Sequence, residues 1–113
     1  MHEASIAQSL LGIVERAVAG TKAEKIVRIE LSIGRLKAIE PQLLSSCFQL
    51  MAEDTVCEGA ELVISAIPVS ARCEECDATF EISDYRFRCE VCDGTALTIV
   101  SGSELRVERI QAI

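Results

Sequence analysis

Four of the six cysteines fall in two like spacings, Cys73-Glu74-Glu75-Cys76 and Cys89-Glu90-Val91-Cys92, with twelve residues between them. Each C-x2-C pair can set two thiolates on one side of a tight turn. Two such turns brought together supply four soft sulfur ligands in a tetrahedron, the arrangement of a closed structural zinc site with bonds of roughly 2.3 Å. A pair of redox disulfides, unrelated buried thiols, or an iron site of the rubredoxin kind are other readings of the same spacing. A complete thiolate shell leaves no coordination position for water, so the chemistry it implies is structural rather than hydrolytic.

The second group with chemical potential is Met1-His2-Glu3, which carries the only histidine of the chain. Because histidine is large, Met1 is expected to be retained. Its amine, the deprotonated backbone amide of His2 and the His2 imidazole can then close consecutive chelate rings around one ion. Nitrogen donors held in a plane suit Ni2+ or Cu2+, and Glu3 or another acid brought near by the fold would complete the shell. On residue chemistry alone a histidine in second position is more commonly an ordinary exposed residue or part of a helix cap. No serine, cysteine or carboxylate is set beside a second catalytic group by a recognisable motif, so the chain is not expected to be an enzyme.

These groups need elements to position them. Ile6, Leu10, Ile13, Val14 and Ala17 form the apolar stripe of a helix that Gly20 ends, with Ser5 and Gln8 as a capping box at its start. Val27, Ile29, Leu31 and Ile33 alternate with Arg28, Glu30 and Ser32, which predicts a half-buried strand stopped by Gly34. Pro41 suits the first turn of a second helix with Leu44, Cys47, Phe48 and Met51 on its apolar side, running to about Thr55. Glu61 to Ile67 reads as a second strand ending at Pro68, and Leu105 and Val107 mark a third.

The expected fold is α+β: two helices packed on a three-stranded sheet, with an inserted zinc-ribbon module. Residues 1–68 and 101–113 would form the base and 69–100 the metal module, with Pro68 and Ser101-Gly102-Ser103 as hinges. Within the module, Phe80, Ile82, Tyr85 and Phe87 read as the small core of two hairpins. Cys47 reads as a core residue of the second helix, and Cys57 fits either an exposed or a buried position.

Size and charge narrow the functions. With 113 residues the chain holds one domain and a small appendage. A net charge of −7, and seven acids against three arginines from Arg72 to Asp93, oppose binding to nucleic acid or to an anionic membrane. There is no apolar run long enough for a membrane helix, and the first residues lack the pattern of a signal peptide, so a cytoplasmic location is expected. In that compartment cysteines more commonly hold metals or pack in cores than form disulfides.

The order of these features is similar to that of the HypA/HybF family of hydrogenase nickel incorporation proteins. The resemblance covers essentially the whole chain. It runs from Met1-His2-Glu3 and the amphipathic helix through Leu31-Ser32-Ile33-Gly34-Arg35-Leu36, Ile39-Glu40-Pro41 and Gly59-Ala60-Glu61-Leu62. The two cysteine pairs and Ser101-Gly102-Ser103-Glu104-Leu105 follow in the same order. It implies a nickel metallochaperone that helps load Ni2+, its transient cargo, into [NiFe]-hydrogenase. The implied partners are a GTPase of the nickel-insertion pathway and the hydrogenase large subunit, with urease maturation proteins in some members. By the same resemblance His2 is a nickel ligand, Glu3 its adjacent acid, Glu40 a nickel-proximal acid, and Cys73, Cys76, Cys89 and Cys92 ligate structural Zn2+. Some members bring a histidine from the zinc module to the nickel; this sequence has none there. A zinc-ribbon docking adaptor with no nickel role is the competing function.

Overall fold

The computed structural model of the protein describes residues 2–113. Along the chain run α1 (His2–Val18), β1 (Ile26–Gly34), a 3-10 turn (Arg35–Lys37), α2 (Pro41–Met51), β2 (Glu61–Ile67), β3 (Ser70–Cys73), β4 (Thr79–Glu81), β5 (Leu97–Ser101) and β6 (Leu105–Ala112). The strands form two three-stranded sheets, ordered β2-β1-β6 and β4-β3-β5. The architecture is α+β as expected, with two helices, the three-stranded sheet β2-β1-β6 and an inserted cysteine-bearing module that forms the second sheet.

The chain divides into two compact units. The first holds the described residues up to Ser32, with Ile39–Ser65 and Arg106–Ile113. Its largest fully buried side chains come from α1 (Leu10, Val14), β1 (Ile26, Ile29, Leu31), α2 (Leu44, Phe48) and the loop after it (Cys57), and the two helices pack on one another. The seam of α1 is Glu3, Ala7, Leu10 and Val14, spaced by four, three and four. It is rotated from the expected stripe: Ile6 and Ile13 are half-buried and Ala17 is exposed. Ser5 and Gln8 do not cap the helix, because it already begins at His2 and both residues lie on its exposed side.

β1 follows the expected alternation from Ile29 onward, but Val27 is exposed and Ile26 takes the buried place. Beyond it, the Ile113 N–H donates to Lys25 O at 2.9 Å and the Glu24 N–H donates to Ile113 O at 2.7 Å, which ties the end of β6 to the approach to β1. α2 stops at Met51, short of Thr55. The Thr55 hydroxyl and N–H both donate to Ala52 O, and Asp54 adopts φ 62, so the chain turns where a helix would have continued.

The second unit comprises Ile33–Ala38 and Ala66–Leu105, wider than the 69–100 segment and including the 3-10 turn. Here β3 is the central strand and pairs antiparallel with β4, opposite Thr79–Glu81, and with β5. Its core is Val69, Ala71, Cys73, Phe80, Ile82 and Cys89, with Leu36, Ala78 and Leu97 packed against it. Two of the four expected core aromatics and aliphatics lie outside: Tyr85 is 67% and Phe87 40% exposed. Asp84 and Tyr85 both take positive φ, which turns that segment outward. The segments read as hinges are tied down within this unit. Ser101 Oγ donates to Pro68 O at 2.9 Å and shares a hydrogen bond with Ser70 Oγ, and the Leu36 N–H donates to Gly102 O at 2.8 Å.

Candidate metal centres

The second unit gathers Cys73, Cys76, Cys89 and Cys92 so that all four sulfurs lie within 4.8 Å of one another, a set able to hold a metal ion. Cys73 and Cys92 sulfurs are 3.6 Å apart and those of Cys76 and Cys89 3.4 Å. A tetrahedron with metal–sulfur bonds of ~2.3 Å has edges of about 3.8 Å, so the donor set fits a tetrahedral thiolate-preferring ion. All six cysteines are free thiols in the structure.

Two near-copies of one local structure build the set. In the first, the Cys73 N–H donates to Ala78 O at 2.8 Å and the Asp77 N–H to Cys73 O at 2.9 Å. In the second, the Cys89 N–H donates to Gly94 O at 2.8 Å and the Asp93 N–H to Cys89 O at 2.9 Å. Asp77 and Asp93 both sit at positive φ, 64 and 61 degrees, a conformation aspartate tolerates better than most residues. Each turn is then bridged by an arginine preceding its first cysteine: Arg72 meets Asp77 at 3.0 Å and Arg88 meets Asp93 at 3.2 Å. Asp77, followed by Glu74, raises the Arg72 pKa. These bridging residues were not anticipated. Their signal is the repeat Arg-Cys-Glu-x-Cys-Asp at 72–77 and 88–93, which extends beyond the cysteine spacing.

Electrostatics favour a cation among the sulfurs. The N–H groups of Cys92 and Val91 point at Cys89 Sγ, each at 3.4 Å, and the Cys92 N–H is the largest influence holding that thiol at about 7. At Cys92 the Gly94 N–H pulls downward, yet the Cys73 thiol, burial and the other two sulfurs outweigh it and push the group up to about 12. Cys76 is raised in the same way: the Ala78 N–H lowers it, but Cys89, burial and Cys73 prevail. The Cys89 thiolate is easily formed, and a positive charge among the sulfurs would favour ionisation of Cys76 and Cys92. Cys57 is buried in the first unit, where desolvation and then Glu15 raise its pKa, and Cys47 is half-buried in α2. Neither belongs to the four-sulfur set.

At the other candidate centre, His2 is the exposed first residue of α1, while Met1 and its amine lie outside the described residues. Glu3 is buried, 5% exposed, and its Oε2 accepts the Glu40 backbone N–H at 3.1 Å. That hydrogen bond is the leading cause that lowers the Glu3 pKa from 4.5 to about 2. Glu40 itself caps α2: its carboxylate accepts the Gln42 N–H at 3.3 Å and the Leu43 N–H at 2.7 Å. The two helix starts therefore meet through Glu3 and Glu40, with each carboxylate placed on N–H groups at a positive helix end. The structure thus brings Glu3 and Glu40 together and gives both carboxylates defined backbone donors.

The profile described as hydrogenase/urease nickel incorporation, metallochaperone, hypA matches residues 1–112. Relatives named hydrogenase maturation factor HypA include that of Solidesulfovibrio magneticus, 37% identical over 98% of both chains. That of Desulfatibacillum aliphaticivorans is 41% identical over 98% of this chain and 86% of its own. Among solved structures, the nickel metallochaperone HypA from Helicobacter pylori superposes with a TM-score of 0.74 at 30% identity, covering 100% of this chain and 98% of that one. With a match along almost its full length and a fold shared with that structure, the chain belongs to the HypA family of nickel-incorporation metallochaperones.

Proposed function

We propose that this protein carries Ni2+ at its amino terminus for hydrogenase maturation and holds Zn2+ structurally between its two cysteine turns. The nickel donors are the Met1 amine together with the deprotonated amide and imidazole of His2; Glu3 is the adjoining acid and Glu40 the second acid of that end. The observation that carries the reading is the placement of His2, exposed in the first turn of a helix whose next residue is firmly anchored. A helix's hydrogen-bond ladder does not use the N–H groups of its first turn, so deprotonating the His2 amide costs α1 no rung. The negative charge so formed sits at the positive helix end. An exposed site with few protein ligands releases its ion to a better one, which suits a carrier, whereas a closed thiolate cage retains its metal. Transfer is ligand exchange, with no bond chemistry on an organic substrate. The partners inferred from the family are a GTPase of the nickel-insertion pathway, the hydrogenase large subunit and, where present, urease maturation proteins.

Calorimetric titration of the untagged, zinc-loaded protein with Ni2+ tests this. Stoichiometric uptake is expected, weakening as pH falls because protons compete for the same nitrogens. His2→Ala is expected to abolish uptake and leave zinc content and the helical signal intact. Unchanged stoichiometry and affinity in His2→Ala would favour the docking adaptor.

A further inference from the structure

Resting on the amino-terminal nickel reading, we propose that Glu3 acts as a positioning residue: its carboxylate, seated on the Glu40 N–H, pins the first turn of α1 to the start of α2 and so holds His2 in place, without ligating nickel through its side chain.

Neighbouring residues in α1 have opposite surroundings. His2 is exposed, and Glu3 is buried with Oε2 on a backbone donor 37 residues away in sequence. An ion arriving from solvent meets the imidazole first; at the buried Glu3 carboxylate it would compete with the Glu40 N–H for Oε2. The donor is itself well fixed, because Glu40 is the residue at which α2 begins and its own side chain takes the Gln42 and Leu43 N–H groups. Helix ends fray unless tied. Tying residue 3 restricts the chain at residue 2, and a donor set already in place loses less freedom on binding. What this role asks of Glu3 is an acceptor oxygen at the right place. A glutamine offers one as well.

The test is Ni2+ titration of the untagged, zinc-loaded full chain, read by calorimetry and by the visible absorption of the bound nickel. Glu3→Gln is expected to bind within about twofold of the parent protein with the same absorption spectrum, and Glu3→Ala to bind roughly tenfold more weakly. Glu40→Pro removes the N–H and is expected to weaken binding several-fold beyond Glu40→Ala, which removes only the cap. Helical circular dichroism identifies any variant that fails to fold, and the Glu3 pair stands without the Glu40 pair. Glu3→Gln binding as weakly as Glu3→Ala, with an altered spectrum, would make the carboxylate a ligand and overturn the proposal. Full affinity in Glu3→Ala would overturn it as well. Retention of nickel by His2→Ala is a separate result that refutes the underlying site.

Discussion

Among the described residues Glu3 is the one buried charged side chain, and its acidity follows from what it touches. The Glu40 N–H stabilises the ionised form most, lowering the folded pKa to about 2 from an ordinary 4.5. A depressed carboxylate contributes stability that is complete above the unfolded value and disappears as pH falls through the folded one. The first unit is therefore expected to lose stability between about pH 4.5 and about pH 2, over and above the loss from other acids. Glu3→Gln, which does not titrate, should flatten that part of the profile when unfolding is followed by the helical signal. The sequence sets Glu3 beside His2, and the family resemblance implies that Glu40 lies near the same end, but the bond between them joins residues distant along the chain. Only the packing of α1 on α2 brings it about, so residue chemistry by itself could not separate ligand from anchor.

At the level of elements, the close approach of two glycines shows what local patterning misses. Gly34 reads as a residue that stops a strand, and it does end β1. Its reason for being glycine is tighter: a Cβ there would lie 2.0 Å from the carbonyl carbon and oxygen of Gly102, backbone atoms that cannot swing aside. Hydrogen bonds hold the crossing together, from the Gly34 N–H to Glu104 O at 2.8 Å and from the Gly102 N–H to Glu104 Oε1 at 2.7 Å. Gly102 adds φ 111, a value other residues rarely adopt. Gly34→Ala is expected to destabilise the second unit by about 3 kcal/mol, an overpacking penalty, measurable by denaturant unfolding. Elements with a full apolar period were legible: α1, β1 from Ile29, α2 up to Met51, and β2 to the residue. The short strands β3, β4 and β5 were not, since strands of three to five residues carry too little alternation. Where cysteines supply the centre of a fold, apolar spacing stops reporting what is inside, and Tyr85 and Phe87 were placed in a core they do not enter.

For the whole molecule, charge and composition set both the partners and the means of observing it. Four thiolates with one Zn2+ would add −2 to the formal charge of −7, deepening an acidity that disfavours phosphate-rich partners. Among the described residues no helix is long and apolar enough to cross a membrane. Both α-helices belong to the first unit, whereas the four sulfurs, the sheet β4-β3-β5 and Tyr85 belong to the second. The chain has one tyrosine and no tryptophan, so intrinsic fluorescence reports on the second unit and the helical dichroism on the first. The core around the sulfurs is small, and two of its six buried residues are cysteines, so bound zinc is expected to supply most of that unit's folding free energy, on the order of 10 kcal/mol. Removing zinc with a strong chelator should therefore shift Tyr85 emission and expose the second unit to proteolysis while the helical band at 222 nm stays near its starting value. The double variant Cys76→Ala, Cys92→Ala should reproduce that state without chelator. Full zinc retention by this variant, or collapse of the helical band together with the tyrosine signal, would mean that the four thiolates do not hold the second unit as an independently melting body.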